Sequence, residues 1–590
     1  MKTDLHVHSN HSKRPSIWFL QKIGCPESFT EPERIYSLAR DRGMNWVTIA
    51  DHNTIDGALA IAHLPRTFIS EEVTTYFPED GCKIHVLVND ITERQHEEIQ
   101  AVRPSIYDLV RYLREQRVFH AVAHPLSPVN GRLTLDHVEK MLLLFKRFEL
   151  NSDQNPLLNT AIRRIASNLT PCGMERLARL HNLEPQGEQP WVKRFVAGSD
   201  DHCSLTIGRG FVHAAGAQSP AELFEAVDAG RARAVCREAT PRTTAHNLYA
   251  IAWQFYRRRL GLGRYAQADP LVLFLDRCFL SQPEAERGLV SKLYFAWSQR
   301  RGWRGRPAEG AGLGELLQYE ARRLLREDPR IGEILRDGMS PGVDTERVSF
   351  RFISEIADKL VRHVGADAAQ RFSEASIFSL FHSIGSAGAL FLLLAPCFVA
   401  YNLFASQRRF ALEALESLAG HTPAAAERVA CLAGADNPAA FAATEQAVAG
   451  LYGPSAEVAH MVCATGVRDG HGFRVFQPAG VCSLGARQIT PPPLLEMLDA
   501  LYEGGFTALH CDGAGPLGLA AVVVGRILGL PLSCAPPGGD GGALGDDDDV
   551  GGLLKRYGQW FLGQMDKVAP PGASPTPCAG RELLLASAEN

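Results

Sequence analysis

Six histidines, one glutamate and one aspartate within the first 202 residues have the types and spacing of a metal site. His6 and His8 are separated by a single residue in TDLHVHSNHSKRPS, directly after an apolar, strand-forming pair. Alternate residues of a strand point the same way, so two ring nitrogens are offered to one ion. His52 closes WVTIADH, Glu72 closes the segment TFISEEV, and His85 lies early in KIHVLVND. His124 closes FHAVAHP, and Asp200 and His202 close RFVAGSDDH. Imidazole suits zinc, iron or manganese, and a carboxylate can bridge two such ions about 3.5–4 Å apart. A pair of that kind makes water nucleophilic at neutral pH and neutralises charge on a phosphoryl group, which is the chemistry of phosphoester hydrolysis.

Apart from His85, these residues sit where short apolar segments run out. Between the segments lie amphipathic helices such as EPERIYSLARDRG, in which Ile35, Leu38 and Ala39 recur at helical spacing before a terminating Gly43. Alternating strands and helices predict an α/β fold with a parallel sheet, and seven strand segments within residues 1–240 predict a barrel. In such a barrel the strand ends open on one face, which gathers residues distant in sequence. Residues 241–465 read as a helical domain, with charged amphipathic runs such as ELLQYEARRLLRE. Residues 466–590 return to α/β, where FTALHCDGAGPLGLAAVVVGRILGLPLS reads as strand, glycine-rich turn, helix and strand, a partial Rossmann-like unit. The Gly/Asp-rich run at 538–552 and the stretch APPGASPTPCAG read as loose.

A length of 590 residues predicts about three domains. A formal net charge of −5 without a basic block argues against a nucleic-acid partner and leaves room for a phosphorylated small molecule. Thirteen cysteines without a Cys-x-x-Cys pair suggest neither a zinc ribbon nor a redox pair, but reduced thiols in a cytosol. The sequence shows no leader-like segment, so a cytoplasmic location is expected. Residues 375–407 carry no formal charge. They read either as a buried helical hairpin broken near Pro396 or as a membrane-contacting span.

The blocks DLHVHS, IADHNT, AHP and GSDDH, with EVTT and KIHVL between them, resemble the signature of the polymerase and histidinol phosphatase (PHP) family. The resemblance covers residues 1 to about 235. It implies a distorted seven-stranded (β/α) barrel and a metal-dependent phosphoesterase acting on a phosphorylated small molecule. Carried over by motif, His6, His8, Glu72 and Asp200 would hold a first ion, with Glu72 bridging to a second held by His85 and His124. His52 and His202 would belong to a third position. Zinc, manganese or iron is the implied cofactor, and Glu72 and Asp200 take the catalytic roles.

The sequence departs from that pattern at Lys13 and Arg14, where much of the family carries a further ligand. Neither cation ligates a metal while charged. His11 follows His8 by three residues, so strand alternation turns it away. A weak or empty third position is therefore expected, with Lys13 either placing positive charge near the substrate phosphate or lying solvated. Asp51 reads as an acceptor orienting a ligand, while Glu71 and Asp201 face away from the site. Arg132 and Arg209 are candidates for binding a phosphate.

The C-terminal stretch resembles the N-terminal half of nucleotide-sugar glycosyltransferases, a half found fused to PHP domains. Its Gly513-x-Gly515 turn lacks the third glycine of a dinucleotide fingerprint. Two functions follow from the sequence: a phosphoesterase, or a non-catalytic regulatory remnant of such a fusion. An amidohydrolase barrel also begins with His-x-His, but Glu72 in place of a bridging carbamylated lysine speaks against it.

Overall fold

A computed structural model describes residues 1–15, 18–266, 269–281, 313–335, 343–373, 377–420, 427–433, 438–464, 473–480, 482–484, 487–489, 491–511, 513–534 and 559–568. The run at 538–552 and the stretch at 569–580, read as loose, lie outside the described residues. The chain divides into two compact units, the first comprising residues 1–304, 325–349 and 406–423, the second the remainder.

The first unit contains β1 (Lys2–Thr3), β2 (Ser70–Tyr76), β3 (Lys83–Asn89), β4 (Phe119–Val122), β5 (Arg147–Asn151), β6 (Arg194–Gly198), β7 (Gly210–His213) and β8 (Arg233–Cys236). Strands β2 to β6 form one sheet in sequence order, and β1, β7 and β8 form a second, antiparallel one. The larger sheet is mixed rather than parallel. β2, β3 and β4 pair antiparallel, whereas β4, β5 and β6 pair parallel. The reason lies in the connections. Only six residues join β2 to β3, too few for a crossover. Two helices, Glu93–Val102 and Ile106–Glu115, take the chain out and back between β3 and β4, so β4 starts from the end where β3 finished.

LHVHS and WVTIADH do not form extended ladders. They join their neighbours through single parallel bridges, Val7 to Asp201, Val47 to Thr67 and His52 to Glu72. Among the described residues the strand ladders therefore form separate sheets, not one closed barrel.

Apolar helix faces hold the sheet from behind. Ile106–Glu115 buries Ile106, Leu109, Val110 and Leu113, at helical spacing, in one cluster with Val73, Val86, Val88 and Val122. The predicted helix around residue 35 forms as Pro32–Asp41 and buries Ile35, Leu38 and Ala39 with Val7 and Ile49. Each buried Val, Leu or Ile among them contributes roughly 1.5–3 kcal/mol. These contacts fix the elements that carry the polar residues.

From residue 377 on, the uncharged stretch lies in one helix, Ile377–Ala419, with Pro396 inside it, so the expected break does not occur. Proline in a helix interior costs about 3 kcal/mol. Burial of Leu394, Cys397, Ala400, Tyr401 and Phe404 on the turns around it offsets that cost. No helix among the described residues is long and apolar enough to cross a membrane. The polar groups that dilute the stretch are used internally: Tyr401 donates to Asp499 at 2.6 Å and Asn402 to the Ile527 carbonyl at 2.8 Å.

The second unit is built on β9 (Arg428–Ala433), β10 (Glu457–Cys463), β11 (Phe473–Phe476), a hairpin of β12 (Cys482–Leu484) and β13 (Arg487–Ile489), then β14 (Ala508–Cys511), β15 (Leu532–Cys534) and β16 (Lys567–Val568). Six of these form a parallel sheet in the order β11-β10-β9-β14-β15-β16. Counted along the sheet's own strands this is the doubly wound order 3-2-1-4-5-6. β9 and β10 fall within the span read from sequence as helical. The sheet is thus larger than the expected half-unit, because its first strands precede residue 466.

Candidate metal centre

The reversed direction of β3 explains the one residue that did not fit the sequence pattern. His85 lies near the start of β3, and because β3 runs against β4 its start stands beside the end of β4, where His124 follows. Glu72 lies in the first half of β2 rather than at its end, since β2 continues into the hairpin as far as Tyr76. It stands opposite His52 through their bridge. His6 and His8 flank Val7, which bridges Asp201 between Asp200 and His202.

Four atoms of this cluster lie close together. His6 Nε2 and His8 Nε2 are 3.0 Å apart. Each lies 3.4 Å from Glu72 Oε2 and 3.3 Å from Asp200 Oδ1. Ligands of one zinc ion stand about 3.3 Å from one another. His6, His8 and Asp200 meet the spacing of a metal-holding set, and Glu72 Oε2 stands beside both imidazoles.

The other Glu72 oxygen belongs to a second group. Oε1 lies 2.9 Å from His85 Nδ1 and 3.0 Å from His124 Nε2, and those two nitrogens are 3.3 Å apart. His52, Glu72 and His85 also meet the spacing of a metal-holding set, as do His8, His52 and His202. One carboxylate thus serves two groups through separate oxygens.

A residue that sequence reasoning missed stands beside the third. Glu27 Oε2 lies 3.2 Å from His52 Nε2, and Glu27 Oε1 lies 3.9 Å from His202 Nε2. Glu27 is buried at 4% exposure, which a carboxylate rarely tolerates without such partners. The expectation of a weak third position assumed that no carboxylate was near; Glu27 supplies one. No motif marks it, since it lies in an irregular stretch between two helices. Glu27→Gln is expected to weaken the third position alone. Zinc titration of that variant should lose one binding step and keep the others; an unchanged titration would refute the placement.

The donor set fits divalent ions on two further observations. His202 Nε2 is buried and forms no hydrogen bond, although buried polar atoms ordinarily do. The imidazoles are also oriented from behind. His6 Nδ1 donates to Glu149 at 2.9 Å, His8 Nδ1 to Ser12 Oγ at 3.0 Å, and His202 Nδ1 to the Asp200 carbonyl at 2.9 Å. Each arrangement leaves Nε2 to face the cluster. Ser12 in turn donates to Asp51 at 2.8 Å, which gives Asp51 the orienting role expected of it. His124 and Asp200 have φ of 31° and 53°, left-handed backbone that costs non-glycine residues about 1–3 kcal/mol each.

Electrostatics make the cluster sensitive to protons. Burial opposes charge on His6, yet Asp200, Glu149 and Glu72 raise its pKa well above the usual histidine value. Glu72 and Glu27 do the same for His52. Burial, with His202 and His52 nearby, pushes His8 down to about 3. Burial would raise Glu72, but His85, His52 and His6 hold it well below the carboxylate range, as His6 and His8 hold Asp200.

A group whose pKa rises on folding stabilises the fold below its unfolded pKa, and that contribution is lost as pH rises through the folded value. The metal-free protein is therefore expected to lose stability as pH climbs through the raised values of His6 and His52. The contributions of Glu72 and Asp200 persist until well into acid. An ion competes with the same protons, so its stabilisation grows with pH. Melting temperatures of chelated and zinc-reloaded protein between about pH 6 and 9 should slope in opposite directions. Parallel slopes would count against this cluster as the binding site.

Other candidates are placed elsewhere. Lys13 and Arg14 are exposed, and the structure records no contact of either with the cluster. His11 Nδ1 turns to Asp56 at 3.8 Å. Arg132 donates to the Asp80 carbonyl and Arg209 to the Glu238 carbonyl, the latter at 2.8 Å. Glu71 faces the opposite side of β2, where it accepts from His96 and Gln100 at 3.0 and 2.9 Å. Asp201 accepts from the backbone of Ser204 and Thr206 and shapes its own loop.

Fold and site together define a mixed α/β protein with a buried His/Glu/Asp centre able to hold metal. No protein-family model matches the chain. Over 134 residues, 22% of this chain and 70% of the relative, it is 30% identical to an uncharacterized protein of Methanocaldococcus jannaschii. The chain belongs to the same family as that protein.

Proposed function

We propose that the first unit is a metal-dependent phosphoesterase of the PHP type, acting on a phosphorylated small molecule. The observation that carries this reading is the bridging placement of Glu72, with Oε2 beside His6 and His8 and Oε1 beside His85 and His124. In this reading those residues hold two ions, and Glu27, His52 and His202 hold a third. Bound zinc, manganese or iron would supply an activated water and neutralise charge on the phosphoryl group. Glu72 fixes the spacing of the pair, and Asp200 presents Oδ1 while its other oxygen is held by Asn151 at 3.0 Å. The buried imidazoles exclude bulk water from that spacing.

Backbone bonds support a seven-stranded arrangement. Asp200 N donates to the His6 carbonyl at 2.7 Å, His8 N to Asp201 at 2.9 Å, Ala50 N to Val7 at 2.9 Å and Glu72 N to Asp51 at 3.1 Å. In this reading the first two histidine segments count as strands between β6 and β2. For the second unit, the doubly wound strand order supports a glycosyltransferase-like origin.

The test uses the whole protein. Elemental analysis after gentle purification should find at least two divalent ions per chain, and a panel of phosphorylated metabolites should include one whose hydrolysis a chelator stops. A fully loaded protein that hydrolyses no phosphoester would refute catalysis and favour the regulatory reading.

A further inference from the structure

We infer that Glu149 is a positioning residue that ties the two ion-holding groups together, an inference that rests on the metal reading above. Glu149 lies on β5 and is fully buried. Its Oε1 accepts from His6 Nδ1 at 2.9 Å. Its Oε2 accepts from the backbone N–H of His124 at 2.9 Å and from Asn151 Nδ2 at 3.2 Å. Asn151 Nδ2 also lies 3.0 Å from Asp200 Oδ2. One carboxylate thus sets the ring of a residue in the first group, the backbone of a residue in the second, and through Asn151 the carboxylate of a third.

Two independent features point to the same role. His124 has φ of 31°, and the hydrogen bond from its N–H to Glu149 holds that unfavourable backbone in place. Gly198, at the end of β6, leaves the room that this contact needs. A Cβ there would lie 2.2 Å from His6 Cβ and 2.6 Å from Glu149 Oε1.

The three hydrogen-bond partners named for Glu149 are donors, and this makes glutamine an informative replacement. Glu149→Gln keeps the shape but turns an NH2 group toward either His6 Nδ1–H or the His124 N–H. In the first case the imidazole must change tautomer and point Nε2–H toward His8 and Asp200; in the second the His124 backbone loses its acceptor. Competition with a chromophoric chelator should show zinc affinity weaker by about 10–100-fold, the cost typical of losing an orienting partner. Asn151→Ala should weaken it less.

A second measurement stands apart from the variants. In the zinc-loaded parent, nitrogen-15 spectra should show the His6 proton on Nδ1. A zinc isotherm of Glu149→Gln that superimposes on the parent's, or a His6 proton on Nε2, would overturn the inference while leaving the metal reading intact. A parent chain that binds no zinc would overturn the metal reading itself.

Discussion

Asp200→Asn and His124→Ala are expected to lose phosphoester turnover by more than the roughly 10–100-fold that loss of a mere orienting partner costs. The reasons differ. Asp200 Oδ1 belongs to the first group, 3.3 Å from both His6 and His8 Nε2. An amide there can still accept a hydrogen bond but carries no charge. It also removes part of what raises the His6 pKa, so His6 gives up its proton more readily while the site attracts a cation less. His124→Ala removes one of two imidazoles facing Glu72 Oε1. Binding in the first group should survive. Metal analysis beside turnover separates the cases: each variant should lose about one ion per chain, with the fall in kcat exceeding the rise in KM. Turnover equal to the parent in either variant would show that the cluster is not the catalytic centre.

Most of the cluster was legible because its residues are chemically conspicuous and lie in or just after short apolar segments. His6, His8, His52, Glu72, His85, His124, Asp200 and His202 do converge, and Asp51 orients His8 through Ser12. Glu27 and Glu149 were not legible. Glu27 sits in irregular chain, where no periodicity says which way a side chain points. Glu149 sits in RFELN, where a single acidic residue in a short strand reads as solvent-facing. Its burial follows from what lies opposite, namely His6 and a glycine at the neighbouring strand's end, and strand pairing is not written in either segment alone. Lys13 illustrates the converse: charge close in sequence to His8 carried no information about direction, and the side chain is exposed.

Strand direction was the weakest part of the fold reading. Alternation of strand and helix suggested a parallel sheet, but the pair of helices between β3 and β4 and the short hairpin between β2 and β3 each reverse the chain. In the second unit β9 and β10 went unrecognised for a different reason. A strand buried on both faces has no polar alternation, and RVACLA followed by the alanine-rich Pro438–Tyr452 reads as continuous apolar helix. Pro396 misled in the opposite sense: a helix buried along several turns retains a proline that would break an exposed one.

Glu72→Gln is expected to have the widest effect of any single substitution, since among the described residues Glu72 places a carboxylate oxygen in each of the two groups. Its Oε2 lies 3.4 Å from His6 and His8 and 2.8 Å from His52, and its Oε1 faces His85 and His124. Glutamine keeps one carbonyl oxygen, so at most one group retains an acceptor, and its NH2 turns two hydrogens toward nitrogens that should meet a cation. Metal content should fall below one ion per chain and turnover to the chelated background. The metal-free fold should weaken as well, because His6 and His52 owe part of their raised pKa to this carboxylate. Breaking a buried ion pair on one side costs about 3–5 kcal/mol when the remaining charge is left uncompensated. At alkaline pH those imidazoles are neutral and the cost should shrink. Denaturant melts of chelated parent and variant at about pH 6 and pH 9 should therefore differ more at the lower pH. A variant that retains two ions, or a stability gap that widens with pH, would contradict the bridging placement of Glu72.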